Sequence, residues 1–216
     1  MFSVTGYGIK LKRLSIEDIE LVRYWRNSES IRKFMEYREE ITPEMQLKWF
    51  TSIDNQSNFF FLISVDHKYI GLINGANTDW NEGITNSGGI FIWDEKFWAT
   101  EIPFNTSVLL SDISFVFGLK KIKAKILSDN LRSIDFNKKL GFVKLPEQEN
   151  LYNQLYELTP DNFRNATKPI REILEKRYGK GIHFEFSSQR TPSDQFILDK
   201  LESQSVKSDQ VTWNVK

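Results

Sequence analysis

The sequence contains no cysteine, and only two of its 216 residues are histidine, namely His67 and His183. Without cysteine there is no disulfide bond, no thiol nucleophile and no thiolate ligand for a metal. The two histidines lie far apart in the sequence and have no partners at the spacing of metal ligands. These absences argue against cysteine-dependent catalysis and against a histidine–cysteine metal site.

The sequence also lacks an excess of charge of either sign and any long apolar run. Lys and Arg number 29, as do Asp and Glu, so a formal net charge of zero gives no support to a nucleic-acid partner. No apolar stretch reaches the length of a bilayer, and the N-terminus lacks the layout of a signal peptide. We therefore expect a cytoplasmic protein without a membrane partner. A neutral chain still permits a local basic groove for an anionic ligand.

Hydrophobic residues make up 40% of the chain, which is enough for one domain with a sizeable core. Hydrophobic periodicity predicts alternating strands and helices along residues 8–160. The predicted strands are residues 8–14, 59–65, 69–77, 87–93, 121–126 and 151–158, with a further strand that starts from Gly141-Phe142. The predicted helices follow Ser15, Asn27, Thr42, Glu101 and Asn130. This order predicts an α/β fold, in which a mixed central sheet carries helices on both faces.

Residues 161–216 differ in character and are predicted to form a small C-terminal extension to a domain of residues 1–160. The elements expected there are a helix over residues 170–178, a strand over 182–186 and a short helix that begins at Thr191. The extension is too small to fold alone, so it should dock on the domain or on a partner subunit. A homodimer contact is a hypothesis that rests on an apolar set expected to be exposed: Phe184, Phe186, Phe196 and Ile197.

The most specific pattern lies in residues 121–142. A half-buried strand precedes Ser128-Asp129-Asn130, which is typical of a helix start, and Gly141-Phe142 closes the helix. This segment resembles the second half of GNAT-type acyl-CoA N-acyltransferases, in which an Asn opens the helix after the fifth strand. Tyr24-Trp25-Arg26-Asn27 and Phe97-Trp98 resemble the branch with amino-sugar and ribosomal-protein N-terminal acetyltransferases. The resemblance covers about residues 8–158.

The resemblance implies acetyl-CoA as cosubstrate and a primary amine as acceptor. The cofactor contacts that it implies are Ile92, Trp98, Thr100, Glu101, Ile102, Asn130, Ser133 and Asn137. The acceptor contacts that it implies are Trp25, Arg26, Asn27 and Tyr37. Core packing is the alternative role for Trp25, because this residue lies on the apolar stripe of its helix. We expect a small-molecule or nucleotide-linked amino sugar as acceptor, with a protein N-terminus or a polyamine as alternatives.

The sequence departs from the family's pattern in the loop that should bind the CoA pyrophosphate. The family has glycines in this loop, because backbone N–H groups must approach the phosphates closely. Glu101 and Pro103 occupy these positions; Glu101 brings a like charge, and Pro103 has no N–H to donate. Two hypotheses remain open. Either the remaining N–H groups bind while Glu101 turns outward, or the protein is a binding module that no longer transfers acyl groups.

The family's usual acid and base are also missing. By the resemblance, Asn137 stands where family members often have a Tyr that acts as general acid. Ser87 stands where they often have a Glu in the fourth strand. Asp79 and Glu82, in the turn before that strand, are the other candidates, although turn carboxylates are usually only solvated. The catalytic residues therefore stay unassigned. Positioning alone can still accelerate acyl transfer to an amine that is already neutral.

Overall fold

The computed structural model describes residues 1–33, 37–203 and 210–216. Within these residues the strands are β1 (Phe2–Gly6), β2 (Ile9–Arg13), β3 (Phe59–Val65), β4 (Lys68–Asp79), β5 (Ile84–Ile92), β6 (Lys121–Leu127), β7 (Val143–Lys144), β8 (Asn153–Leu158), β9 (Ile182–Phe186) and β10 (Val211–Val215). The helices are α1 (Ile19–Asn27), α2 (Glu29–Arg32), α3 (Pro43–Ile53), α4 (Ile102–Val116), α5 (Leu131–Leu140), α6 (Pro160–Tyr178) and α7 (Pro192–Ser203). The predicted continuation of the second helix through Phe34 and Met35 falls outside the described residues.

All these strands belong to one sheet, in the order β10-β9-β1-β2-β3-β4-β5-β6-β8-β7. Neighbouring strands are antiparallel except for two parallel pairs, β5 with β6 and β10 with β9. The predicted mixed α/β sheet is confirmed. Two short strands, β1 and β10, are additions that the periodicity did not predict.

Strand β3 shows why helices cover both faces of the sheet. Its residues Phe61 and Ile63 are fully buried in the larger hydrophobic cluster, to which α4, α6 and α7 also contribute. The alternate residues Phe60 and Leu62 are buried in a second cluster with residues of α1 and α3. Because successive side chains of a strand point to opposite faces, an unbroken apolar run is buried from both sides.

The side-chain caps predicted at the starts of α3 and α5, and the glycine predicted at the end of α5, are present in the structure. The Thr42 hydroxyl accepts a hydrogen bond from the Met45 N–H at 3.3 Å, and Asn130 Oδ1 accepts one from the Ser133 N–H at 3.0 Å. Helix α5 ends at Gly141, whose φ of 100° favours glycine. A Cβ atom at Gly141 would also lie 2.6 Å from the carbonyl oxygen of Asn162, so no larger residue fits there without a shift.

The C-terminal residues continue the sheet and pack on the same chain. Strand β9 pairs with β1, and helix α6 is tied to α4 by two hydrogen bonds from Arg171 to Asp112, at 2.7 and 2.9 Å. The expectation of an exposed apolar set is wrong, because Phe184, Phe186 and Ile197 are at most 1% exposed within this chain. That set therefore gives no support to a homodimer. A domain boundary at residue 160 stays a prediction.

Candidate functional site

A wedge opens in the sheet between the parallel strands β5 and β6. These strands pair only at their beginnings, through Ile84 with Lys121 and Thr85 with Ile122, and then diverge. A cavity of about 300 Å³ fills the gap. Its lining includes Gly88, Gly89 and Ile90 of β5, residues 122–127 of β6, and Asn130, Ser133 and Asn137 of α5. Within the described sheet, the inner edges of both strands beyond this pairing present backbone donors and acceptors to the cavity rather than to each other.

Helix α4 begins at the mouth of the wedge, just after the end of β5. The Ile102 N–H is taken by the Thr100 hydroxyl at 3.3 Å, and Pro103 has no N–H. Among the described residues, no acceptor engages the N–H groups of Glu101 and Phe104. The positive end of a 15-residue helix thus keeps two free donors, which is an arrangement that suits an anion.

The Glu101 carboxylate is held by the end of helix α6. Its Oε1 atom accepts hydrogen bonds from Arg177 Nη1 at 2.5 Å and from the Tyr178 hydroxyl at 2.9 Å. The hydrogen bond from Tyr178, together with the Arg177 guanidinium, lowers the pKa of the Glu101 carboxyl below its ordinary value. Glu101 is therefore ionised near neutral pH, but a cation of the C-terminal extension pairs with its charge.

Trp98 holds the loop between β5 and α4 in place through hydrogen bonds of its indole and of its backbone carbonyl. Its Nε1 donates to the Ile92 carbonyl oxygen at 2.7 Å, and the Trp98 carbonyl accepts from Arg132 of α5 at 3.0 Å. Of the predicted cofactor residues, Asn130, Ser133 and Asn137 line the wedge. The other five are not among its lining residues and lie at the end of β5, in the loop that follows it and at the start of α4: Ile92, Trp98, Thr100, Glu101 and Ile102. Contact between any of these residues and a cofactor stays a prediction.

A second cavity, of about 490 Å³, lies between the sheet and helices α1 and α3. Its lining includes Arg26, Tyr37, Gln46 and Trp49, together with Asn74 of β4 and Gly89 of β5. Asn74 and Gly89 also line the wedge, and they are direct partners in the ladder between β4 and β5. Gly89 leaves room beside Asn74, because a Cβ atom at Gly89 would meet only Asn74 Oδ1, at 3.7 Å. The two cavities therefore adjoin at this pair of residues.

The second cavity holds two buried donors with no partner. Among the described residues, Arg26 Nε and Gln46 Nε2 have no hydrogen-bond acceptor, although Gln46 is only 3% exposed. Burial lowers the pKa of Arg26, and no carboxylate of the described chain pairs with its guanidinium, which lies 5.8 Å from the Phe91 ring centroid. Because an unpaired buried donor costs about 1–3 kcal/mol, a ligand that accepts these hydrogen bonds would relieve that cost.

The other two predicted acceptor residues do not line this cavity. Trp25 stacks on Trp93 with ring centroids 5.7 Å apart, which is the core role that its apolar stripe indicated. The Asn27 side chain exchanges two hydrogen bonds of 2.9 Å with the backbone of Ile41 and so fixes the chain ahead of α3. Both residues position the walls of the cavity, and their contact with an acceptor stays a prediction.

The candidate catalytic carboxylates lie at the closed end of the wedge. Asp79 Oδ1 accepts hydrogen bonds from the N–H groups of Asn81 and Glu82, at 2.9 and 3.1 Å, in the turn between β4 and β5. Ser87 lies in β5 opposite Ala76. None of the described residues that line either cavity is an Asp or a Glu. A catalytic role for Asp79, Glu82 or Ser87 stays a prediction.

The composition of the described residues restricts the chemistry further. They contain no group of three or more His, Cys, Asp or Glu side chains that could hold a metal ion. They also contain no helix with the length and apolarity needed to cross a membrane.

Two residues that line the cavities, Gln46 and Asn74, were not predicted from the sequence. The one local signal is the amide side chain of Asn74, which interrupts the otherwise apolar residues 70–76 of β4.

A mixed sheet that splits between two parallel strands, with a helix start at the mouth of the split, defines an acyl-CoA N-acyltransferase fold. A profile described as an acetyltransferase (GNAT) domain matches residues 9–143. This match covers more than half of the chain, so the chain belongs to the GNAT acetyltransferase family, as the sequence resemblance predicted.

Known proteins similar to this chain fit that family. An uncharacterized protein of Methanocaldococcus jannaschii is 30% identical over 141 residues, which are 63% of this chain and 28% of that protein. FdhC, a nucleotide-linked sugar GNAT, is 15% identical with a TM-score of 0.67 over 80% of this chain and 98% of its own. Spermidine N-acetyltransferase from Vibrio cholerae, in complex with CoA and spermine, is 16% identical with a TM-score of 0.61 over 72% and 98%. At such identities the two solved structures support the fold alone.

Proposed function

We propose that this protein is an N-acetyltransferase that transfers acetyl from acetyl-CoA to a primary amine of a nucleotide-linked amino sugar. One observation carries the proposal: the wedge and the second cavity share Asn74, Gly89 and Ile90 in their linings, so the two cavities adjoin along these residues. A donor molecule in the wedge and an acceptor in the second cavity would meet at that junction. Family membership supports acetyl transfer as the class of reaction, and the residues shared by the two cavities are where we propose that the transfer takes place.

The wedge fits an acyl-CoA in chemical terms. The free backbone edges of β5 and β6 suit a ligand with amide groups along its length, as the pantetheine arm has. The unengaged N–H groups of Glu101 and Phe104 suit its phosphates, and Asn130 and Ser133 are polar residues of the wedge lining. When bound, acetyl-CoA supplies an acetyl group activated as a thioester.

The chain's own contribution to the chemistry is positioning. Because no carboxylate among the described residues lines either cavity, the amine should arrive neutral from solution. Asn74 Oδ1, at the junction, can accept a hydrogen bond from that amine and orient its lone pair toward the acetyl group. Holding two reactants in the right geometry lowers the activation free energy of acyl transfer even without a general base. The effective molarities of well-oriented intramolecular reactions put this gain at several kcal/mol, as an order of magnitude of roughly 7–11 kcal/mol at most.

The second cavity favours an anionic acceptor over a polyamine. Arg26 brings a positive charge that no described carboxylate neutralises, and Gln46 offers an unused N–H donor. A guanidinium binds phosphate oxygens in a forked geometry and would repel the ammonium groups of spermidine. The diphosphate of a nucleotide-linked sugar matches these donors.

The test is a comparison of amine acceptors with acetyl-CoA held at a saturating concentration. Release of free CoA would be measured with a nucleotide-linked amino sugar, with spermidine and with a peptide that has a free N-terminus. We expect turnover with the amino sugar, and a KM for it that rises at least tenfold in Arg26→Gln, about the effect of one lost charge-assisted contact.

Lys48→Gln is the matched control, because Lys48 is an exposed cation on α3 that does not line the second cavity. Preference for spermidine or for the peptide would contradict the acceptor class. Tight binding of acetyl-CoA without transfer to any amine would instead identify a non-catalytic binding module.

A further inference from the structure

The ends of two helices meet at the mouth of the wedge. Glu101 precedes the first residue of α4, and Arg177 and Tyr178 are the last two residues of α6. Both of these α6 side chains converge on one oxygen of the Glu101 carboxylate, at 2.5 and 2.9 Å. An acidic residue in a loop proposed to bind phosphates is thus matched by a cation and a hydroxyl from the C-terminal extension.

The position of Arg177 is built into the fold. Two turns earlier on α6, Arg171 is anchored to Asp112 of α4 by two hydrogen bonds of 2.7 and 2.9 Å. At the end of the helix the Tyr178 ring packs over Gly8, where a Cβ atom would lie 2.5 Å from Tyr178 Cε1. Residues on both sides of Arg177 therefore hold this end of α6 beside the start of α4.

An unpaired Glu101 would act against a diphosphate at the start of α4. Its carboxylate belongs to the residue whose own N–H is one of the two free donors. Like charges this close repel each other, and the paired state removes most of that repulsion because the guanidinium cancels the negative charge. Arg177 also adds a cation to the rim that a phosphate oxygen can approach.

We propose that Arg177 and Tyr178 are positioning residues for the cofactor, which hold Glu101 so that the start of α4 accepts the CoA diphosphate. This inference rests on the proposed binding of acetyl-CoA. It accounts for a Glu at a position where the family has Gly, and it gives residues 161–216 a part in the site. An exposed ion pair of this kind adds little to stability by itself, so its effect should be visible in ligand binding rather than in folding.

The test is a calorimetric titration of CoA into the full chain and four variants. We expect Arg177→Ala to weaken CoA binding roughly fivefold, and Tyr178→Phe, which removes only one hydroxyl, to weaken it about twofold. Adding Glu101→Gln to Arg177→Ala should restore the affinity to within about twofold of wild type, because the repelling charge is gone. Lys176→Ala removes an exposed cation next to Arg177 and should leave the affinity unchanged.

Thermal unfolding of each variant without ligand would show whether that variant is folded. If Arg177→Ala does not fold, the CoA affinity of Tyr178→Phe tests the inference instead. Wild-type affinity in Arg177→Ala and in Tyr178→Phe would overturn the inference and leave the proposed function standing. The inference alone also fails if Glu101→Gln does not restore the affinity of Arg177→Ala. Absence of CoA binding by wild type would overturn the proposed function and this inference together.

Discussion

Replacement of Gln46 by Met should make the free protein more stable and a poorer enzyme. Gln46 lines the second cavity and is 3% exposed, and its Nε2 atom has no hydrogen-bond partner in the part of the chain that the structure describes. Methionine has a similar length and a similar helix propensity, so Gln46→Met preserves the packing of α3 while it removes the unpaired amide. The free energy of unfolding should therefore rise.

The size of the gain follows from the cost of leaving a buried donor unpaired. That cost is about 1–3 kcal/mol, and a dry thioether should recover roughly 1–2 kcal/mol of it. For a chain of this length, 1 kcal/mol shifts the melting temperature by about 2–4 °C, so Gln46→Met should melt roughly 2–8 °C higher than wild type. Lys48→Met, at an exposed position of the same helix, should change stability by no more than about 0.5 kcal/mol.

Urea unfolding of the two variants and of wild type measures this difference, and the KM for the amino-sugar acceptor measures its functional counterpart. We expect the KM of Gln46→Met to rise about tenfold, as for one lost hydrogen bond to a charged group. A loss of stability in Gln46→Met would refute the reasoning, because it would mean that the fold uses the amide. An unchanged KM would show that the acceptor does not contact Gln46.

Three further predictions concern the strands, the extension and the chemistry. Gly88→Ala should lower the free energy of unfolding by about 1–3 kcal/mol, because its Cβ would lie 2.9 Å from the Asn74 carbonyl oxygen. Gly89→Ala, whose Cβ meets only Asn74 Oδ1 at 3.7 Å, should spare stability to within about 0.5 kcal/mol and slow acetyl transfer. Arg171→Met should cost about 3 kcal/mol in urea unfolding, since it removes the cation that pairs with the part-buried Asp112 and leaves this carboxylate only the hydrogen bond from the Tyr7 hydroxyl. The value of kcat/KM should rise about tenfold per pH unit up to the pKa of the acceptor amine, because none of the described residues that line the two cavities is a carboxylate that could serve as base.

Each of these predictions has an outcome that contradicts it. Equal unfolding curves for Gly88→Ala and Gly89→Ala would mean that the two strand faces are not as different as the distances indicate. A loss of less than about 1 kcal/mol in Arg171→Met would place its pair among ordinary surface contacts, which contribute that much or less. A kcat/KM that levels off or falls at a pH well below the amine's pKa would reveal a catalytic group of the chain.

The central part of the fold was predictable because its strands and helix ends carry local signals. The apolar run of β3, the Thr42 cap and the glycine that ends α5 each determine their own element. Helix α6 was predicted only after Pro169, because proline inside a helix removes a hydrogen bond and crowds the preceding turn. In the structure α6 begins at Pro160, nine residues before Pro169. Phe163 is only 1% exposed, and the burial of its side chain in the core favours a helix over residues 160–168 as well.

The candidate site was predictable only where a motif is contiguous in sequence. Asn130 and Ser133 lie on the first turn of α5, so a short pattern suffices to place them beside the wedge. The junction of the two cavities depends instead on the register that sets Asn74 opposite Gly89, across a hairpin. The pairing of Glu101 with Arg177 joins residues 76 positions apart, and no local rule links them.

The central claim, that acetyl-CoA binds in the wedge with its phosphates at the start of α4, is tested most directly by amide hydrogen exchange with and without acetyl-CoA. The N–H groups of Glu101 and Phe104 have no acceptor in the described chain, so they should exchange rapidly in the free protein. With the ligand we expect slower exchange at these two amides and along the open part of β5, from Gly89 to Ile92. Unchanged exchange at both places with millimolar acetyl-CoA would contradict the claim.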